Sequence, residues 1–261
     1  MATGYRVRMP IVTSFPSGTP IWVDLQSPDQ PAAAAYYRAL FDWEVTPADP
    51  RMGGYSSASL RGVPVGALGP LLSDDVPSMW TTYFAVPGLH AAAQAVEAAG
   101  GTVLLPPGET VPGVFLSIVQ DPAGAVFGIW EKRGDHRWLR DEPGAVDWVE
   151  LVTPEPEAVF PFYEAVLGVG ASEMRVGDKP YGLFDVGDNS VAGVYEGAGG
   201  PSRWLVYVNV ADLDAAVVRA TELGGTLALE PLSAPGVGRW AEITDPQGAA
   251  FALLEPEREP D

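Results

Sequence analysis

The chain states one pattern twice. Trp22-Val23-Asp24-Leu25 returns as Trp148-Val149-Glu150-Leu151, and Tyr37 returns as Tyr163. Both echoes lie 126 residues on (148 − 22 and 163 − 37). Gly100-Gly101 returns as Gly224-Gly225, and Asp121-Pro122-Ala123-Gly124 as Asp245-Pro246-Gln247-Gly248, an offset of 124 (245 − 121). Solenoid repeats have periods of about 20–50 residues, so this one is a duplicated domain. The 261 residues divide into two domains of about 110–125 residues. Each half can therefore be read against the other, and a residue type the chemistry requires should occur in at least one of them.

Residues 1–19 are rich in Pro, Gly, Ser and Thr and lack a period, which predicts an N-terminal arm. Ile21 to Gln26 alternates as a strand does. Ser27-Pro28-Asp29 signals a helix start, with Pro31 in the first turn, and Tyr36, Tyr37, Leu40 and Phe41 follow at helical spacing over 32–41. Short strands are expected over 43–46, 55–60 and 63–68. The order then repeats: a strand over 80–86, a helix over 89–99 ended by Gly100-Gly101, and strands over 102–105, 114–120 and 125–131. The Asp-Pro-Ala-Gly turn joins the last two as a hairpin. Each half is thus two strand–helix–strand–strand–strand units. The domains span 20–132 and 146–256, with a charged linker over 133–145 and an acidic tail over 257–261.

The pattern resembles the vicinal oxygen chelate superfamily, which includes glyoxalase I, bleomycin-resistance proteins and extradiol dioxygenases. The likeness rests on residues 35–43 (AYYRALFDW) and 162–168 (FYEAVLG), on the two Gly-Gly caps and on the two Asp-Pro-x-Gly turns. It implies an α+β fold of tandem glyoxalase-like domains. Each would pair two βαβββ units into a cupped, mostly antiparallel sheet, with helices outside and the ligand cavity on the concave face.

The resemblance also implies where metal-dependent relatives would place His, Gln or Glu ligands. Those positions fall on Trp22 and Trp148, near Thr81 and Leu205, and on Gly128 and Ala252. An indole nitrogen only donates, and a one-residue slip would turn a side chain to the opposite face. No metal site and no cofactor is expected. His90, in a first helical turn, and His136, in the linker, are expected to face solvent, and Glu131 and Glu255 to be solvated rim charges.

Alternate residues of a strand share a face. Trp22, Asp24 and Gln26 are expected to look into the first cup, joined by Thr81, Tyr83 and Trp130. Trp148 and Glu150 look into the second, joined by Tyr207 and Asn209. Indole and phenol rings supply stacking surface, and one carboxylate per cup supplies orientation. The expected function is metal-free binding of an aromatic or planar organic compound, in antibiotic sequestration or secondary metabolism. The alternative is a cofactor-free enzyme of hydroxylase, lyase or isomerase type, with Asp24 or Glu150 as acid or base. A third reading is a structural module whose cups are filled by side chains. A net charge of −19 argues against nucleic-acid or anionic-membrane partners. The absence of cysteine removes thiol chemistry and disulfides. No apolar run is long enough to span a membrane and no secretory signal is evident, so a cytoplasmic location is expected. Short members of the resembled family dimerise to complete their cups, a step an internally duplicated chain need not take, so a monomer or weak homodimer is expected.

Overall fold

The computed structural model describes residues 11–71, 73, 75–197 and 201–257. The first ten residues of the arm and residues 258–261 of the tail lie outside them. After a two-residue strand β1 (Ile11–Val12), the first half runs β2 (Pro20–Ser27), α1 (Gln30–Phe41), β3 (Glu44–Val45), β4 (Ser56–Leu60), β5 (Val63–Pro70), β6 (Met79–Ala85), α2 (Leu89–Ala98), β7 (Thr102–Val111), β8 (Val114–Gln120) and β9 (Val126–Glu131). The linker contributes β10 (Trp138–Leu139). The second half runs β11 (Val146–Thr153), α3 (Pro156–Leu167), β12 (Gly170–Val176), β13 (Lys179–Val186), β14 (Asn189–Glu196), β15 (Arg203–Asn209), α4 (Leu213–Glu222), β16 (Thr226–Ala234), β17 (Gly238–Thr244) and β18 (Ala250–Pro256).

Each half forms one eight-stranded sheet. The orders are β3-β4-β5-β2-β6-β9-β8-β7 and β12-β13-β14-β11-β15-β18-β17-β16. Only two pairings in each are parallel, β2–β5 and β6–β9 in the first and β11–β14 and β15–β18 in the second. Both central strands carry a bulge at the same place, between Pro20 and Trp22 and between Val146 and Trp148.

Local chemistry sets the helix ends. Asp29 caps α1 by accepting from the Ala32 amide at 3.0 Å, so Gln30 and Pro31 form the first turn and the helix begins earlier than its apolar period indicates. Asp212 caps α4 in the same way through Ala215 N at 2.9 Å. Strand β7 runs on to Val111 through Pro106 and Pro107, beyond the predicted end at residue 105. It is an edge strand, where the missing N–H groups need cost no ladder bond. Among the described residues, no helix is long and apolar enough to cross a membrane.

The helices lie outside each cup, and the buried faces of the helices and strands meet in a core shared by the two halves. Val23, Leu25, Tyr37 and Trp80 of the first half share one continuous core with Val149, Leu151, Tyr163 and Trp204 of the second. Tyr36 and Tyr37 of α1 meet Phe251 of β18 edge to face, and Phe162 and Tyr163 of α3 meet Phe127 of β9.

Two hydrogen-bond sets tie the halves reciprocally. Tyr37 donates to Asp245 Oδ2 at 2.9 Å, and Tyr163 donates to Asp121 Oδ2 at 2.9 Å. Each phenol accepts from an indole of its own half, Trp80 at 3.0 Å and Trp204 at 3.1 Å. The other carboxylate oxygen holds the turn: Asp121 Oδ1 accepts from Ala123 N and Ala125 N, and Asp245 Oδ1 from Gln247 N and Ala249 N. The aromatic pair and the Asp-Pro-x-Gly turn are therefore partners across the duplication. The β1–β10 ribbon also joins equivalent positions, since Val12 pairs with Trp138, its own counterpart at 138 − 12 = 126.

Removing one phenol strands a buried carboxylate oxygen and an indole N–H together. Tyr37→Phe and Tyr163→Phe should each destabilise the chain by about 1–3 kcal/mol, read from urea midpoints. Losses under about 0.5 kcal/mol in both variants would contradict the cross-half role.

Candidate functional site: two cups of unequal content

The first cup is built on β2 and its neighbours. Val23 and Leu25 go to the shared core, while Trp22 packs in the separate cup cluster with Tyr83 and Trp130. Asp24 stands opposite Thr81, and Trp22 opposite Tyr83. Asp24 is 5% exposed. Its Oδ2 accepts from the Tyr83 hydroxyl at 2.8 Å, and its Oδ1 from the Gln26 amide. Gln26 Oε1 in turn accepts from the Thr81 hydroxyl at 2.8 Å. Burial raises the Asp24 carboxyl to about 7, against the opposing bonds from Tyr83 and Gln26. Gly128 leaves no free room: a Cβ there would fall 1.9 Å from the Tyr83 ring, which fills that space.

The mouth of this cup is filled by the chain itself. His136 sits among Phe15, Trp22 and Trp130, with ring centroids 5.1, 5.4 and 5.5 Å away. Its Nε2 is 2.8 Å from the Ile21 carbonyl oxygen, and burial lowers its pKa. The expectation that His136 faces solvent is thus corrected. The β1–β10 ribbon brings the arm and the linker together at this point. His90 is exposed, as expected. Glu131 and Glu255 are more than rim charges, because they accept from the first amides of α2 and α4, Leu89 N at 3.0 Å and Leu213 N at 3.1 Å.

The second cup repeats the frame with other contents. Glu150 stands opposite Leu205, and Trp148 opposite Tyr207. Glu150 is 7% exposed, and its two oxygens accept from the hydroxyls of Tyr181 and Tyr207. The Trp148 indole donates to the Tyr181 hydroxyl at 2.9 Å. Burial is the largest influence on Glu150 and raises it to about 7; the phenols pull it down and the Glu242 charge pushes it up. Glu242 accepts from the Tyr195 hydroxyl at 2.8 Å and from Arg203 at 3.3 Å. Asn209 lies further along β15, where its amide donates to Asp147 Oδ2, and Asp147 is also held by Arg140 at 3.1 Å. Trp148, Tyr181, Tyr195, Trp240 and Leu254 are all half-buried.

The structure thus gathers Trp22, Asp24, Thr81, Tyr83 and Trp130 in one cup, and Trp148, Glu150 and Tyr207 in the other. Asn209 sits toward the Asp147 end of the second. Sequence reasoning missed Tyr181, Tyr195, Arg203, Trp240 and Glu242. One signal was available, because the 126-residue offset already matches Tyr181 to Tyr55.

Comparison with known proteins fits this geometry. The Glyoxalase/Bleomycin resistance protein/Dioxygenase superfamily signature matches residues 145–253, and a glyoxalase-like domain signature matches 21–130. The chain is 38% identical over 257 residues to the putative glyoxylase CFP32 of Mycobacterium tuberculosis, covering 95% of this chain and 98% of that protein. It is 37% identical over 263 residues to the anthracycline biosynthesis protein DnrV of Streptomyces peucetius, covering 94% and 95%. The Mn(II)-bound glyoxalase of Novosphingobium aromaticivorans shares the fold, with a TM-score of 0.65 at 18% identity over 96% of this chain and 85% of that one. The chain belongs to the glyoxalase/bleomycin resistance/dioxygenase superfamily, as two tandem domains of that fold.

A divalent metal of the kind some relatives hold does not fit these residues. Such ions need three or four converging His, carboxylate or thiolate groups. Each cup offers indole, phenol and amide around its carboxyls. Among the described residues, no group of three His, Cys, Asp or Glu is placed to hold an ion.

The raised carboxyl predicts a pH signature. A folded state that binds its proton more tightly than the unfolded chain loses stability as pH rises from the unfolded pKa, about 4.5, through about 7. Glu150→Gln should remove a loss of order 3 kcal/mol across that window, so the variant gains on the wild type between pH 5 and pH 7.5 in urea melts. A constant difference between the two proteins would show that Glu150 titrates normally.

Proposed function

We propose that the protein binds a planar organic small molecule without a metal, and that the second cup holds it. One observation carries this reading. Trp22 meets the rings of His136 and Trp130, with Phe15 behind His136, whereas Trp148 stacks with no ring among the described residues and meets the Tyr181 hydroxyl through its N–H; the position equivalent to Phe15 is the exposed Asp141 (15 + 126). Trp148 and Trp240 offer aromatic surface, and the Glu150–Tyr181–Tyr207 set offers orientation. The likeness to an anthracycline biosynthesis protein supports a planar polycyclic ligand and a place in secondary metabolism or antibiotic sequestration. The first cup is then structural, holding the arm and the linker together.

A second reading has its own support. Glu150 combines burial, phenol partners and a pKa near 7, a setting suited to acid–base chemistry. Consumption of a bound compound with chelator present would establish it.

Titrating tryptophan fluorescence with daunorubicin and a panel of anthraquinones tests binding. Saturable quenching should persist in Trp22→Phe, and the apparent Kd should rise at least tenfold in Trp148→Ala. A flat titration across the whole panel would overturn the reading.

A further inference from the structure

Around Glu150 the second cup sets two carboxyls beside one cation. Arg203, on β15, is 3.3 Å from Glu242, on β17. Glu150 on β11 meets the hydroxyls of Tyr181 from β13 and Tyr207 from β15, with the Trp148 indole N–H beside them. The other ionisable groups toward it are Tyr195 of β14, which bonds Glu242, and Glu242 itself, whose charge opposes ionisation of Glu150. Further along the cup, Asp147 and Arg140 pair with each other. One buried carboxyl is left without a positive partner.

A second, independent feature lies on the same face. Asn209 is 4% exposed, and its Oδ1 has no hydrogen-bond partner. It stands two residues beyond Tyr207 on β15, about 7 Å along the strand and on the same side. An unpartnered buried acceptor is costly unless something supplies a donor. The half-buried Trp148 and Trp240 belong to the same cup cluster, and indole faces attract cations. The chain's net charge of −19 adds a long-range pull of the same sign.

We propose that the second cup selects a planar organic cation, a ring system bearing a protonated amine, whose charge is balanced by Glu150 and whose N–H or O–H donor satisfies Asn209 Oδ1. This rests on the binding reading above and names the ligand's chemical class. The cation displaces the proton that Glu150 otherwise keeps, so binding releases a proton wherever that carboxyl is protonated in the free protein. With the carboxyl raised to about 7, affinity for a fixed cation is level above that pH and falls toward tenfold per unit below it.

Calorimetric titration of the intact protein at pH 6, 7 and 8 tests this with two probes of one ring system. 9-Aminoacridine is protonated throughout that range, and acridone is neutral. The expected result is at least tenfold tighter binding of 9-aminoacridine at pH 8, a smaller advantage at pH 6, and acridone affinity independent of pH. Heats measured at pH 6 in buffers of different ionisation enthalpy should report proton release for 9-aminoacridine alone. Glu150→Gln should bring the two probes to equal affinity by weakening only the cation. If that variant does not fold, the wild-type pH series and buffer series decide. Equal binding of both probes, or a pH-independent advantage for the cation, overturns the proposal and leaves the binding reading standing. No heat from either probe overturns the proposal, and a flat fluorescence panel besides removes the binding reading as well.

Discussion

The carboxyl–phenol hydrogen bond organises this molecule. Asp121 and Asp245 meet Tyr163 and Tyr37 between the halves, Asp24 meets Tyr83 in the first cup, and Glu150 meets Tyr181 and Tyr207 in the second. A phenol can satisfy a buried carboxyl whether or not it is ionised, while its ring fills apolar space. The chain thereby places acids in its interior with few cations. Burial raises all four of these carboxyls. Where the aspartates also take two backbone amides, the acid is a structural anchor. In the cups no backbone donor replaces the phenols, and the carboxyl is left poised to titrate.

Duplication then allowed the two interiors to part. The frame is common: Gln26 lies between Gly69 and Met79, as Val152 lies between Tyr195 and Arg203. Ile118 faces Gly128 as Glu242 faces Ala252. The first interior therefore has its polar groups on β2 and β6, where Gln26 and Thr81 close the network around Asp24. The second has them on β11, β13, β14, β15 and β17, where Glu150 meets Tyr181 and Tyr207, and Tyr195, Arg203 and Glu242 bond one another toward the half-exposed rim. The same backbone yields a closed, ring-plugged cup in one half and an acid-lined cup in the other.

Much of this was legible in the sequence because the duplication and the period-2 strands carry it. The assignment of Trp22 and Asp24 to one face and of Val23 and Leu25 to the other followed from alternation alone. The cross-half bonds were not legible, since Tyr37 and Asp245 each read as a local motif, a helix pair and a turn, with nothing to show that they meet. Tyr195, Arg203 and Glu242 escaped for a related reason. Their encounter depends on registers among three strands far apart in sequence. His136 and Phe15 lie in aperiodic segments whose position is fixed by the short β1–β10 ribbon, a pairing of two residues with no pattern of its own. Prolines at 106 and 107 marked an end to β7 that an edge strand does not require.

The chemistry of the second cup turns on one buried carboxyl, Glu150, held by phenols with no cation beside it. Carbon-13 NMR of protein labelled at its glutamate carboxyls, with Glu150 assigned through Glu150→Gln, measures that directly across pH 4 to 9. The expected Glu150 midpoint is near 7 in the free protein and moves down when an aromatic amine is bound. A midpoint near 4.5, unmoved by the amine, would contradict it.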